Sequence, residues 1–217
     1  MNNMINQKDR VSEILEYLNI LFPNAHCELK YTKDYELLIA IVLSAQTTDK
    51  RVNQVTPILF NKYKTLEELS NASLEDIEKI IKSIGTFKKK SIFIKNIANS
   101  LIKDHNGIIP NDRNYLSTLS GVGRKTINVF LSEYYGEPAI AVDTHVERVS
   151  KRLKLAKTNA TVTEVEQSLM KKVPQDRWIK THHQLIFFGR YHCKAINPNC
   201  QDCGLKHLCK YYQDKNK

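Results

Sequence analysis

The sequence of 217 residues predicts an all-α fold, and three observations carry that expectation. Strand-like alternation is nearly absent, and apolar residues recur at helical spacing. Thr65, Ser73 and Thr161 each stand three positions ahead of an acidic residue, the spacing of a helix-starting capping box.

Taken in order, Val11, Ile14, Leu15, Leu18 and Leu21 fall on one face of a first helix, which Pro23 stops. Asp34 then precedes YELLIAIVLSA, whose unbroken apolar run from Leu37 to Leu43 predicts a central helix buried all round. Asp49 is the expected cap of a third helix carrying Val52, Val55, Leu59 and Phe60. Pro57 is expected to kink or divide that helix, because proline has no N–H to donate. Thr65 with Glu68, Ser73 with Asp76 and Thr161 with Glu164 mark three further helix starts. Gly85 and Gly136 stand where C-terminal caps belong. Gly107 with Pro110 breaks the chain after a helix bearing Ile92, Ile94, Ile97 and Leu101.

Hydrophobic residues at 41% and charged residues at 26% are ordinary for a globular protein, and a chain of this length can bury a core without disulfide staples. No run approaches the roughly 18 apolar residues of a membrane span. The polar start MNNMINQKDR has no signal-peptide core, so the expected location is the cytoplasm, at the nucleoid if the source is bacterial. The net charge of +10 favours an acidic partner. No basic amphipathic helix stands out to lie on a membrane, which puts nucleic acid first. Part of that charge reflects a lysine-rich composition, 25 Lys against 8 Arg, so it supports the inference without carrying it.

The stretch that the rest of the chain serves is LSGVGRKT, Leu119 to Thr126, followed by an apolar helical run and then VDTH at Val142 to His145. Gly121 and Gly123 permit a tight reversal with positive φ and let backbone N–H groups approach a ligand closely. Ile127, Val129, Phe130 and Leu131 place a helix after the turn, beginning at about Gly123, so its unpaired first-turn N–H groups face the same point and favour phosphate. A glycine pair alone is equally an ordinary turn between helices. What separates the two readings is a lysine in the first helical turn, Lys125, where the macrodipole disfavours a cation. Asp143 adds to this, because it opens the next helix, where a carboxylate caps.

Four of the five cysteines, Cys193, Cys200, Cys203 and Cys209, form a C-x6-C-x2-C-x5-C pattern; Cys27 stands apart and is expected as a buried apolar residue. With nothing directing secretion, four thiols within 17 residues suit a metal centre rather than two disulfides. Their spacing admits tetrahedral zinc, and equally a 4Fe-4S cluster with one thiolate per iron.

Together LSGVGRKT, VDTHVERVS and the cysteine spacing resemble the DNA glycosylases of the endonuclease III type, over essentially the whole chain. The resemblance implies two helical lobes. Residues 28–137 would form a helical barrel with a helix-hairpin-helix motif, and residues 1–27 plus 138–217 a second domain ending in a 4Fe-4S loop, with the hairpin at the cleft between them. It implies that Cys193, Cys200, Cys203 and Cys209 hold the cluster, which fixes a small lobe and positions Lys194 and Lys206. The backbone of Gly121, Val122 and Gly123, with Arg124, would grip DNA phosphate without reading sequence. Gln46, in SAQTTD, and His145 would enter the duplex where a damaged base has left the stack. One departure concerns Thr86 in SIGTFKKK, where the family more often has a bulky apolar wedge; Phe87 is the alternative.

The implied chemistry is base removal from duplex DNA by a monomer, with Lys125 attacking C1′ to give a Schiff base and then β-elimination of the 3′ phosphate. The implied lesions are oxidised, ring-saturated or fragmented pyrimidines. Only a neutral amine attacks, and roughly one lysine in a thousand is neutral near pH 7.4. A helix N-terminus supplies only about 0.3 to 1 kcal/mol against the cation, so partial burial of Lys125 is expected to supply the rest. Asp143 would stabilise positive charge developing on the sugar or assist proton transfer. Two rivals explain less. Adenine-mismatch glycosylases share the hairpin, aspartate and cluster, but typically lack the lysine and carry a further domain that residues 210–217 leave no room for. A noncatalytic helix-hairpin-helix DNA-binding protein needs neither Lys125 nor Asp143, and a structural zinc protein accounts only for the cysteines.

Overall fold

A computed structural model describes residues 7–216, and among these every regular element is helical. The chain forms two compact units, residues 28–135 and residues 7–27 with 136–216.

The unit of residues 28–135 is built around the apolar run. Helix α2 (Asp34–Ser44) buries every residue from Tyr35 to Leu43, as an all-round hydrophobic helix must. Its start is held by Glu36, whose carboxylate accepts from the N–H groups of Thr32 (2.8 Å) and Lys33 (3.3 Å). Asp34 is the first helical residue and accepts the Ile109 N–H at 3.2 Å. Helix α3 (Asp49–Lys62) begins one residue earlier than expected. Thr48 is the cap, its hydroxyl accepting from the Arg51 N–H at 3.3 Å, and Asp49 lies inside the first turn. Pro57 does not divide α3, which runs on to Lys62 with Val52, Val55 and Leu59 buried.

Thr65 and Ser73 cap α4 (Leu66–Asn71) and α5 (Leu74–Ile81) as their spacing predicts, accepting from the N–H groups of Glu68 and Asp76 at 3.2 Å each. Helix α6 (Phe87–His105) packs against α2, α4 and α5 and buries Ile94, Ile97 and Leu101, while Ile92 faces solvent. It ends at Asn106 and Gly107, both at positive φ, with the Gly107 N–H returning to the Leu101 carbonyl at 2.9 Å. Gly85 is no cap: α5 has already ended at Ile81, and Gly85 instead lies against the Gln46 carbonyl, 3.3 Å from where a Cβ would sit. Helix α7 (Arg113–Thr118), capped by Asp112, leads into the hairpin turn and α8 (Arg124–Tyr135), and Gly136 closes α8 at φ +67°.

In the other unit, helix α1 (Gln7–Leu21) buries Val11, Ile14, Leu15 and Leu18 in a core shared with α9 (Thr144–Arg152), α10 (Val162–Lys172) and α11 (Trp178–Phe187). Thr161 and Glu164 form a complete capping box at the start of α10. Helix α11 widens into a π turn over Phe188–His192 before the cysteine loop, and α12 (Lys210–Lys215) comes after Cys209. Cys27 is half-buried rather than fully enclosed.

Candidate functional site

The hairpin turn is shaped by one glycine more than by the other. Gly121 has φ +76°, and a Cβ there would stand 2.5 Å from the Phe93 ring of α6. Both the turn and the close approach therefore exclude a side chain. Gly123, expected to share that conformation, is not among the positive-φ residues, and a Cβ on it would meet nothing within 4 Å. Gly123 is exposed, so its openness faces solvent. Val122 is buried and its N–H returns to the Leu119 carbonyl at 3.1 Å, which anchors the turn in the core. Asn96 of α6 donates to the Ser120 hydroxyl at 3.2 Å, and Arg113 joins α7 to α8 through Asn128 at 2.8 Å.

Helix α8 starts at Arg124, with the Gly123 carbonyl accepting the first helical bond from Ile127 at 3.0 Å. Gly123, Arg124 and Lys125 are exposed. Lys125 takes no hydrogen bond or ion pair among the described residues, and its side chain stands in solvent. The expected partial burial is therefore not built into the protein, and any desolvation of this amine must come from what binds against it.

Two more turns lie in the same unit. Gln46 comes after α2 at φ +56° and Thr86 precedes α6 at φ +56°, both exposed, whereas Phe87 is half-buried as the first residue of α6. The turns meet: the Gly85 N–H donates to the Thr47 hydroxyl at 3.3 Å. Non-glycine residues in this region carry backbone strain that only surrounding structure can hold.

In the other unit Asp143 is the cap of α9, and one of its oxygens, Oδ1, accepts from the N–H groups of His145 (2.9 Å) and Val146 (2.8 Å). Its second oxygen takes no hydrogen bond among the described residues. His145 is half-buried; burial pushes its imidazole below the ordinary histidine range, Asp143 opposes this, and the cations Arg148 and Arg190 add to it. Gly189, in the π turn, is what lets α9 lie so close, since a Cβ there would be 2.8 Å from the His145 Cβ. Arg148 donates to the carbonyls of Gly189 (2.8 Å) and Cys193 (3.1 Å), and so ties the segment after Asp143 to the start of the cysteine loop. Arg152 donates to the Lys194 carbonyl at 2.8 Å and lies 3.3 Å from the Cys193 sulfur.

Cys193, Cys200, Cys203 and Cys209 carry free thiols and line one small cavity together with Leu153 and Phe188. Burial pushes the Cys203 thiol up to about 11; the Leu205 N–H pulls the other way, and the three other thiols add to the rise. Among the described residues no three groups converge as ligands of a single metal ion. Tyr17 of α1 braces the loop, accepting the Gly204 N–H at 3.0 Å where a Cβ would strike its ring at 2.6 Å. Lys206 bonds to the Gln201 carbonyl at 3.2 Å, and Lys194 is exposed. Sequence reasoning missed Gly189, Arg148, Arg152 and Tyr17, because their roles come from contacts between distant segments.

A tight glycine turn between two helices, an exposed lysine in the first turn of the second, and a four-thiol loop define an all-helical protein of the helix-hairpin-helix class. Residues 39–175 match the family described as HhH-GPD superfamily base excision DNA repair protein. The chain belongs to that superfamily and, within it, to the endonuclease III family. It is 49% identical to endonuclease III of Bacillus subtilis (strain 168) over 214 residues, covering 99% of this chain and 97% of that one. The solved structure of a trapped endonuclease III–DNA covalent intermediate, an estranged-adenine complex, superposes with a TM-score of 0.93 at 49% identity, covering 97% of this chain and 99% of its own. That of a non-covalent endonuclease III–DNA complex gives 0.93 at 49% identity, with 96% and 98% covered. Among the described residues no helix is long and apolar enough to cross a membrane.

Proposed function

We propose that this protein removes damaged bases from double-stranded DNA and cleaves the resulting abasic site, with Lys125 as nucleophile. The observation that carries the proposal is an exposed, unpaired Lys125 in the first turn of α8, directly behind the hairpin turn, in a chain so similar to a protein trapped covalently on DNA. The amine attacks C1′ and the glycosidic bond breaks, so the base leaves with its electron pair and the sugar is held as a Schiff base. Loss of a C2′ proton then expels the 3′ phosphate, and water releases the lysine.

Asp143 fits a charge-stabilising role: its Oδ1 is spent on the α9 cap while its second oxygen remains available to a cationic sugar or a moving proton. The reading assigns the hairpin domain to residues 28–137 and the iron-sulfur domain to residues 1–27 with 138–217; residues 1–6 and 217 lie outside the described residues. Backbone at Gly121, Val122 and Gly123, with Arg124, grips phosphate and fixes register. Gln46 and His145 fill the place of the extruded base. The substrate class is an oxidised, ring-saturated or fragmented pyrimidine, and the enzyme works as a monomer in the cytoplasm.

The four thiols fit a 4Fe-4S cluster, because they share one cavity and offer one sulfur for each iron. Bound there, the cluster supplies a rigid fold for the loop of residues 193–209 and takes no part in base removal. Arg148 and Arg152 hold the first ligand's segment, and Tyr17 holds the segment around Gly204.

The test is borohydride trapping on a duplex with an abasic or damaged site. Wild-type protein should be left covalently attached to DNA. Lys125→Gln should lose both the adduct and strand cleavage while still binding the duplex, since the phosphate grip lies in backbone. An undiminished adduct from folded Lys125→Gln protein would move the nucleophile to another amine.

A further inference from the structure

One buried cation has no part in base removal or strand cleavage. Lys90, on the first turns of α6, is only 3% exposed, and among the described residues no carboxylate pairs with it. Its ammonium donates to the carbonyls of Leu43 (3.0 Å), in the last turn of α2, and of Ala45 (2.6 Å), the residue between that helix and Gln46. Its own N–H donates to the Thr86 carbonyl at 3.1 Å. The Lys90 side chain therefore grips the Gln46 turn, which meets the Thr86 turn through the Gly85 N–H and the Thr47 hydroxyl at 3.3 Å; the exposed tips, Gln46 and Thr86, both sit at φ +56°. Burying a lysine away from an anion is costly, and burial pushes its ammonium below the ordinary lysine range. A neutral side chain would fill the same space without that cost, so the charge is kept for the carbonyls that it holds at the negative end of α2.

We propose that Lys90 is a positioning residue for DNA insertion: it locks the Gln46 turn, and with it the adjoining Thr86 turn, in the conformation that enters the duplex. The inference rests on the proposed role of Gln46. The lock works because the left-handed conformation at Gln46 is uphill for a side chain with a Cβ. Without the ammonium, the Leu43 and Ala45 carbonyls must find other donors, and the turn relaxes toward conformations that point Gln46 elsewhere. Ordering is then required at the moment of binding, which weakens the complex. Lys95 is a matched control on the same helix. It donates to the Ala72 carbonyl at 2.7 Å, at the end of α4, and touches neither turn.

The experiment is a double-mutant cycle on binding to a duplex that carries a tetrahydrofuran abasic analogue opposite 2-aminopurine, whose fluorescence reports what enters the stack beside it. Gln46→Ala and Lys90→Met should each weaken binding by about tenfold, and the double variant should be no weaker than roughly either alone. Both should blunt the fluorescence change. Lys95→Met should leave binding and fluorescence as in wild type. If the losses from Gln46→Ala and Lys90→Met multiply, Lys90 acts on general stability and the inference fails. It fails too if Gln46→Ala binds as wild type, and in that case the assignment of Gln46 falls while the Lys125 trapping result stands untouched. Should Lys90→Met melt below the assay temperature, Lys90→Arg replaces it, with charge kept and donors displaced. The same shared loss with Gln46→Ala is expected at smaller amplitude, and multiplied losses again overturn the idea.

Discussion

At the scale of single residues, the two glycines of the hairpin look alike in sequence and differ in what forbids a side chain. Gly121→Ala forces an L-residue into the left-handed region, at about 1–2 kcal/mol, and drives its methyl into Phe93, which adds about 1–3 kcal/mol of overpacking. A fall in both melting temperature and DNA affinity is expected. Gly123→Ala meets no neighbour within 4 Å and needs no unusual φ. It should therefore leave the melting temperature near wild type and lower affinity alone, by holding phosphate away from the backbone. Thermal melting with duplex titration of both variants checks the pair; equal loss of stability in the two would contradict the assignment of Gly123 as the open, ligand-facing side.

At the scale of elements, the observed cap at Asp143 and its proposed charge-stabilising role are separable by substitution. As the cap of α9 it accepts two backbone N–H groups through Oδ1, and an asparagine oxygen can do the same. Asp143→Asn should keep most of the stability and lose most of the base release, because the charge that steadies a cationic sugar is gone. Asp143→Ala should lose the activity and also about 1 kcal/mol of stability with the cap. Action on an abasic site, where no glycosidic bond remains, should fall less than base release in both variants. Single-turnover excision compared with cleavage of a preformed abasic site measures the difference.

Packing between elements also couples the cap to the cysteine loop. Gly189 in the π turn admits His145 and Arg148 of α9, and Arg148 then bonds to the Cys193 carbonyl. π turns inside helices are often found at functional sites, because the extra residue re-aims the side chains beyond it. Here it allows close packing of α9 immediately before the first cysteine of the loop.

At the scale of the whole molecule, the four-thiol loop covers a core that α1, α9 and α11 begin and that Leu205, Leu208 and Cys209 complete. Iron and sulfide analysis of anaerobically prepared protein should give a full 4Fe-4S complement, retained by Cys27→Ser and lost on substitution of Cys193, Cys200, Cys203 or Cys209. Stoichiometric zinc with negligible iron would overturn the cluster assignment, and loss of iron in Cys27→Ser would mean that the wrong four sulfurs had been chosen.

The helical class and most helix starts are legible in the sequence, and so are the motifs that nominate the candidate site, because these are local facts. Capping chemistry at Thr65, Ser73 and Thr161 acts over three residues, apolar periodicity is a property of one helix, and hairpin, aspartate and cysteine spacings survive in a linear string. Where two local signals compete, it misleads. Asp49 is the expected cap of α3 and Thr48 is the actual one, since either can start a helix and only the backbone chooses. Pro57 is expected to kink or divide α3, but the helix is continuous through it, with buried Val52, Val55 and Leu59 packed along its length. That Gly121 and not Gly123 takes the left-handed conformation, that Lys125 stands in solvent, and that Lys90 is buried beneath the Gln46 turn emerges in three dimensions alone. Each depends on what another segment places against the residue: Phe93 beneath Gly121, nothing over Lys125, the end of α2 above Lys90. An unbroken apolar run announces its burial, as in α2, but at Gly121, Lys125 and Lys90 burial and backbone strain are set by neighbours distant in the chain, which the local pattern does not encode.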